Sequence, residues 1–167
     1  MKLIVMSDSH SDQETIQAIR NRETDADAFF HCGDSELAVD ANILQGMEIV
    51  QGNCDWNATF PESVVSEVGT LKILMVHGHQ HGVKQSLMQL KYAAEQVNAN
   101  VVLFGHSHLY GAELQEGVLY VNPGSTLLPR DGRVATYAVI EQEDSLKVTF
   151  RSPDTGEAVE KVIFTTN

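Results

Sequence analysis

Five short, largely apolar runs each stop at a residue able to hold a cation, and this pattern constrains the fold more than any other feature. LIVM (residues 3–6) leads into Asp8 and His10, and FFHC (29–32) into Gly33 and Asp34. EIVQ (48–51) leads into Gly52, Asn53, Cys54 and Asp55. ILMV (73–76) leads into His77, and VVLF (101–104) into Gly105, His106 and His108. Runs of this length without period-two breaks are typical of strands buried on both faces. In open α/β sheets the carboxyl ends of such strands are where ligands bind.

Taken singly, each motif reads as turn chemistry, since Asp or Asn beside Gly is first a loop signal. Turn chemistry does not place metal-competent side chains at five strand ends together. The donors are Asp, Asn and His without paired thiolates. That mixture suits an open, hydrolytic centre for Mn²⁺, Fe, Ni²⁺ or Zn²⁺ rather than a structural zinc site.

The remaining pattern predicts an α/β first part feeding a β-rich second part. Ser11 and Glu14 have capping-box spacing, which predicts a helix start there, with Ile16 and Ile19 on its buried face. Residues 35–44 carry only a weak helical stripe. SVVSEV and LKILMV read as two strands around Gly69-Thr70. Val83, Leu87, Leu90, Ala94 and Val97 form one apolar helical face. AELQE, VLYVN, VATYAVIE, LKVTF and AVEKVIF read as strands, with EGV, DGR and TGE marking tight turns. With no repeat and no linker-like tract, one domain over residues 1–167 is expected.

The net charge of −12 repels polyanions, so long nucleic acid is not an expected partner. The N-terminal apolar run is too short for a membrane span and lacks a cleavage-like pattern, which predicts a cytoplasmic protein without membrane contact. Two cysteines, Cys32 and Cys54, do not make a disulfide framework. No surface patch indicates a homo-oligomer.

The ordered set Asp-x-His, Gly-Asp, Gly-Asn-x-Asp, His, Gly-His-x-His, followed by VNPGS at 121–125, resembles the calcineurin-like metallophosphoesterase superfamily. It is most similar to the small single-domain bacterial and archaeal phosphodiesterases, which share their fold with the vacuolar-sorting subunit of retromer. The resemblance implies a four-layer α/β/β/α sandwich, with two mixed β-sheets flanked by helices. It also implies a dinuclear metal centre, with manganese first and nickel, iron, zinc or magnesium as alternatives. Asp8, His10 and His108 would hold one ion and Asn53, His77 and His106 the other, with Asp34 bridging. An anionic bridge offsets the repulsion of two cations about 3.5–4 Å apart.

The implied activity is hydrolysis of small phosphodiesters by a hydroxide bridging the two metal ions, with Asn53 and His79 contacting substrate. A phosphomonoesterase or nucleotide hydrolase on the same centre, and a protein-binding scaffold without turnover, are the alternatives. Many relatives carry a histidine after Gly-Asn as general acid, and Cys54 stands there in this chain. Cys54 and His79 are therefore the candidates for that role. Against it, Cys54 reads as packing beside the metal and His79 as an orienting or solvated loop residue. Asp55 is expected to orient a liganding histidine or a loop amide. His81 is expected to face solvent. His31, within FFHC, is expected to be a hydrogen-bonded core residue.

Overall fold

A computed structural model describes residues 1–165 of the chain. The elements are β1 (Lys2–Met6), α1 (Gln13–Arg22), β2 (Ala28–His31), β3 (Met47–Ile49), β4 (Ser63–Val68), β5 (Leu71–Val76), α2 (Met88–Val97), β6 (Val101–Leu103), β7 (Gly111–Gln115), β8 (Val118–Asn122), β9 (Tyr137–Gln142), β10 (Ser145–Arg151) and β11 (Ala158–Thr165). They form a six-stranded sheet, ordered β11-β10-β9-β1-β2-β3, and a five-stranded sheet, ordered β4-β5-β6-β8-β7. Both are mixed. β1, β2 and β3 run parallel to one another, as do β5, β6 and β8, while the outer strands join them antiparallel.

Period-two alternation builds the layers. Leu3 and Val5 of β1 enter the cluster between the sheets, where they join Ile73 and Met75 of β5 and Val148 and Phe150 of β10. Ile4 and Met6 turn the other way and meet Ile16 and Ile19 of α1. Leu74 and Val76 of β5 likewise turn outward, against Leu90 and Ala94 of α2. One helix thus covers each sheet's outer face, giving the expected four layers. Ile73 is fully buried, and truncating such a residue to Ala costs about 2–5 kcal/mol.

Several local expectations are corrected. The cap of α1 is Asp12 rather than Ser11: its carboxylate accepts from Thr15 N–H at 3.1 Å, while Ser11 sits at φ 72°. A residue in the left-handed region does not present the extended geometry of an N-cap. Residues 35–44 form only a 3₁₀ turn at Asn42–Leu44. α2 begins at Met88, because residues 79–85 form turns and Gly82 stands at φ 58°. Val83 and Leu87 still pack on the α2 cluster, so the apolar face was real although the helix was shorter. VATYAVIE pairs only from Tyr137 onward, and Val134 is exposed. DGR is a turn within the loop before β9 rather than a hairpin between strands. Among the described residues no helix is long and apolar enough to cross a membrane.

Candidate metal centre

The parallel strands β1, β2, β3, β5 and β6 all point their carboxyl ends to one side, so their following loops meet there. The seven residues singled out from the sequence converge. His108 Nε2 lies 3.1 Å from Asp8 Oδ1, and His77 Nε2 lies 3.9 Å from the same oxygen. His77 Nε2 is also 3.4 Å from Asp34 Oδ2 and 3.1 Å from Asn53 Oδ1. The His10 and His108 ring centroids are 5.4 Å apart, and those of His77 and His106 5.2 Å. Asp8, His10 and His108 can bring their ligand atoms within 4.8 Å of one another, as can Asp8, Asp34 and His77.

The backbone is bent to achieve this. Asp8, His10, Asp34, His106 and His108 all have positive φ, between 45° and 68°. Such conformations cost non-glycine residues about 1–2 kcal/mol each and gather at functional sites. The glycines before two ligands supply close approach. A Cβ at Gly52 would lie 2.0 Å from Asp34 Oδ1, and one at Gly105 2.0 Å from Ser7 Oγ and 2.7 Å from Asp8 Oδ2. Any larger residue would push the carboxylates out of place.

Hydrogen bonds fix the imidazole tautomers. His77 Nδ1 donates to Cys32 O and His108 Nδ1 to Leu128 O, each at 2.7 Å. A carbonyl can only accept, so Nδ1 carries the proton and the neutral ring presents a lone pair at Nε2. His10 Nδ1 meets Glu36 Oε2 at 3.0 Å by the same logic. The three Nε2 atoms are thus turned inward as ligands are. Two of the inward-facing atoms, Asp8 Oδ1 and His10 Nε2, are buried without a hydrogen-bond partner of acceptable geometry. Lone pairs facing lone pairs in a buried site call for a cation, and the residues fit one.

The electrostatics agree. Burial works against ionisation of Asp8, but His108, His77 and Ser7 outweigh it and lower its pKa. Burial likewise opposes ionisation of Asp34, but His77 and Cys54 hold its carboxyl well below the usual range. Burial would lower the His77 pKa, yet Asp34 and Asp8 raise it, and the Asp8 carboxylate raises His108. Burial, with His77 and Lys84 nearby, pushes His106 down to about 4.

The neighbours divide into supports and rim. Asp55 accepts from the amides of Asp34, Glu36 and Gly52, so it orders the loops and orients no histidine. His31 Nδ1 accepts from Gly33 N–H, leaving Nε2–H for Ser9 Oγ, a fully satisfied core residue as expected. Cys54 N–H donates to Asp34 Oδ1 at 2.7 Å, and burial with Asp34 raises its thiol pKa to about 11. His79 is exposed, its ring centroid 5.3 Å from His77 and 6.2 Å from His106. His81 is half-buried with Nδ1 out of contact with solvent, which corrects the expectation that it faces solvent.

Sequence reading missed Glu36, Asn122 and Ser125. Ser125 Oγ donates to Asp8 O at 2.7 Å and accepts from Leu127 and Leu128 N–H, so it holds both Asp8 and the chain that binds His108. Asn122 Nδ2 donates to Gly105 O and Ser107 Oγ. The VNPGS run was the one signal of Asn122 and Ser125.

Known proteins resemble this chain in sequence and in fold. The probable metallophosphoesterase YsnB of Bacillus subtilis is 43% identical over 152 residues, covering 90% of each chain. The crystal structure of a predicted phosphoesterase from Streptococcus pneumoniae TIGR4 superposes with TM-score 0.93 at 38% identity, over 99% of this chain and 97% of that one. Vps29 of Entamoeba histolytica, complexed with Zn²⁺, shares the fold, with TM-score 0.77 at 20% identity over 99% of this chain and all of the other. Residues 1–145 match the calcineurin-like phosphoesterase superfamily domain, and the chain belongs to that superfamily.

Proposed function

We propose that this protein is a divalent-metal-dependent phosphodiesterase acting on small phosphodiesters. The observation that carries this reading is the set of inward-facing Nε2 atoms of His10, His77 and His108 around the buried, unpartnered Asp8 Oδ1. Asp8, His10 and His108 would hold one cation and Asn53, His77 and His106 the other. Asp34 would bridge the two; its Oδ2 lies toward His77 and its Oδ1 accepts from the Cys54 amide. Carboxylate, amide and imidazole donors without thiolate make Mn²⁺ the first choice. Such cations supply Lewis-acid polarisation of a phosphoryl oxygen and of water at neutral pH.

The chain's own residues do the rest. Asn53 and His79 are exposed at the mouth, where an amide and an imidazole can hydrogen-bond phosphoryl or leaving-group oxygens. Asn53 Nδ2 reaches the Cys54 sulfur at 3.5 Å, so Cys54 packs and positions Asn53 rather than serving as general acid. A diester brings one negative charge where a monoester brings about two. No Lys or Arg hydrogen-bonds the candidate ligands among the described residues, and the chain is acidic overall. Both facts favour the monoanion.

The test compares bis(p-nitrophenyl) phosphate with p-nitrophenyl phosphate after chelation and Mn²⁺ reloading. Faster diester turnover is expected. The reverse order makes the protein a monoesterase, and no turnover with any divalent ion makes it a scaffold.

A further inference from the structure

A cleft of about 530 Å³ lies on the outer face of the five-stranded sheet, where the cover of α2 ends. Phe104 and Tyr120 form its floor, and Val83, Leu87 and Leu109 its apolar walls. Ser107, between His106 and His108, joins it to the metal centre. Ser107 Oγ accepts from Asn122 Nδ2 at 2.9 Å and from Leu109 N–H at 3.3 Å. Its own proton is left over for an acceptor inside the cleft. Lys84 and Arg130 stand at the rim, and neither pairs with a carboxylate among the described residues. In a chain with 11 basic against 23 acidic residues, the two rim cations bring the charge of this lining close to balance. Glu113 and Asp131 also line the cleft. Glu113 pairs with Tyr120, one side-chain step further from the centre than the Gly111–Asn122 pair, so the far end does not suit a second anion.

We propose that this cleft binds one arm of the phosphodiester, and that the arm is a flat, uncharged ring system of nucleoside size. This assignment rests on the phosphodiesterase reading of the adjoining centre. Volume, apolar walls and few polar groups match the usual form of an organic-ligand site. Lys84, Arg130 and the Ser107 proton attract the phosphate that joins the arm to the reacting centre. Glu113 accepts from a hydroxyl or amino group at the far end. A small alcohol would leave the apolar walls unfilled.

Gly111 offers a clean block. Ala112 packs into the cluster between the sheets, so Gly111 looks outward, with Asn122 and Tyr120. A Cβ there would meet nothing within 4 Å. Gly111→Phe therefore fills the cleft without crowding the fold.

The experiment is calorimetric binding of thymidine 5′-monophosphate and of methyl phosphate to the Mn²⁺-loaded protein, wild type and Gly111→Phe. The wild type is expected to hold thymidine monophosphate about tenfold more tightly, about 1.4 kcal/mol, because its ring stacks in the cleft. Gly111→Phe is expected to abolish that preference and keep methyl phosphate affinity. Equal affinities in the wild type, or an unchanged preference in the variant, overturn the proposal. If circular dichroism shows Gly111→Phe misfolded, Leu109→Asn, which roughens the same wall, decides by the same ratio. Hydrolysis of bis(p-nitrophenyl) phosphate by the same preparations reports separately on the catalytic reading. Loss of turnover with the preference intact sinks only that reading.

Discussion

Asp8 Oδ1 lies 3.1 Å from His108 Nε2, and the neutral ring has no proton to share there because His108 gives its own to Leu128 O. With the ring neutral, two buried lone pairs are held face to face, by side chains whose backbones sit in the left-handed region. Such an arrangement persists only when surrounding structure imposes it. It becomes favourable when a cation enters, which sets the first expectation. Adding Mn²⁺ to chelator-treated protein should raise its melting temperature. At a free concentration a hundred times Kd the gain is about 2.7 kcal/mol. For a chain of this size that is about 5–10 °C. Scanning fluorimetry across a Mn²⁺ titration measures it, and a flat response would contradict a metal centre.

Asp34→Asn removes the charge of the residue proposed to bridge the two ions. The amide keeps an Oδ1 that can accept from Cys54 N–H, so the loop has no reason to move. The anion facing His77 disappears. Metal content after gel filtration and the rate on bis(p-nitrophenyl) phosphate should fall together, each by about tenfold or more. Full metal content with a full rate would place the centre elsewhere.

Ser125 acts without touching the site's interior. Its hydroxyl ties Asp8 O to the Leu127 and Leu128 amides, and Leu128 O in turn orients His108. Ser125→Ala leaves buried groups unsatisfied, at a cost of about 1–3 kcal/mol. It should also weaken Mn²⁺ affinity about 10–100-fold, as loss of an orienting partner does. Calorimetry with Mn²⁺ reads the affinity, and a stability loss without any change in affinity would confine Ser125 to the fold.

The layers and the site were unequally legible in the sequence. β1 announced itself because LIVM is apolar on both faces, and both faces are covered, by the second sheet and by α1. Strand ends carrying Asp8, Asp34, His77 and His106 were visible because each follows such a run. Glu36 was not, since nothing in a lone glutamate two residues past Gly-Asp signals that it will meet His10 Nδ1. Ser125 lies 117 positions from Asp8, a separation that only the sheet topology closes. The start of α2 was misplaced because Val83 and Leu87 keep the apolar face while Gly82 breaks the helix. Side-chain period reports burial, and backbone conformation follows the glycine.

Away from the metal centre, Glu23 gives the protein an acid-side limit. It is buried at the end of α1, with Oε1 accepting from Tyr137 O–H at 2.6 Å and Oε2 2.7 Å from Lys2 Nζ. Burial opposes its ionisation, but Lys2 and Tyr137 outweigh it and lower its pKa below the ordinary 4.5. A lowered carboxyl pKa means stability that is present above the unfolded value and lost as pH falls through the folded one. Burial and Glu23 push Tyr137 the other way, from 10.0 up to about 12, so its contribution is complete below pH 10 and lost as pH rises through 12. Between about pH 5 and 9 both are intact. Glu23→Gln should therefore lower stability at pH 7 by about 1.5–3 kcal/mol, the usual worth of hydrogen bonds to a charged group. The gap to wild type should narrow as pH falls below the ordinary 4.5 and the wild-type carboxyl takes up its proton. Melting curves of both proteins from pH 3.5 to 9 in chelator keep metal ligation out of the comparison. A gap that stays constant across that range would mean the Glu23 charge contributes nothing, and that the residue acts through shape alone.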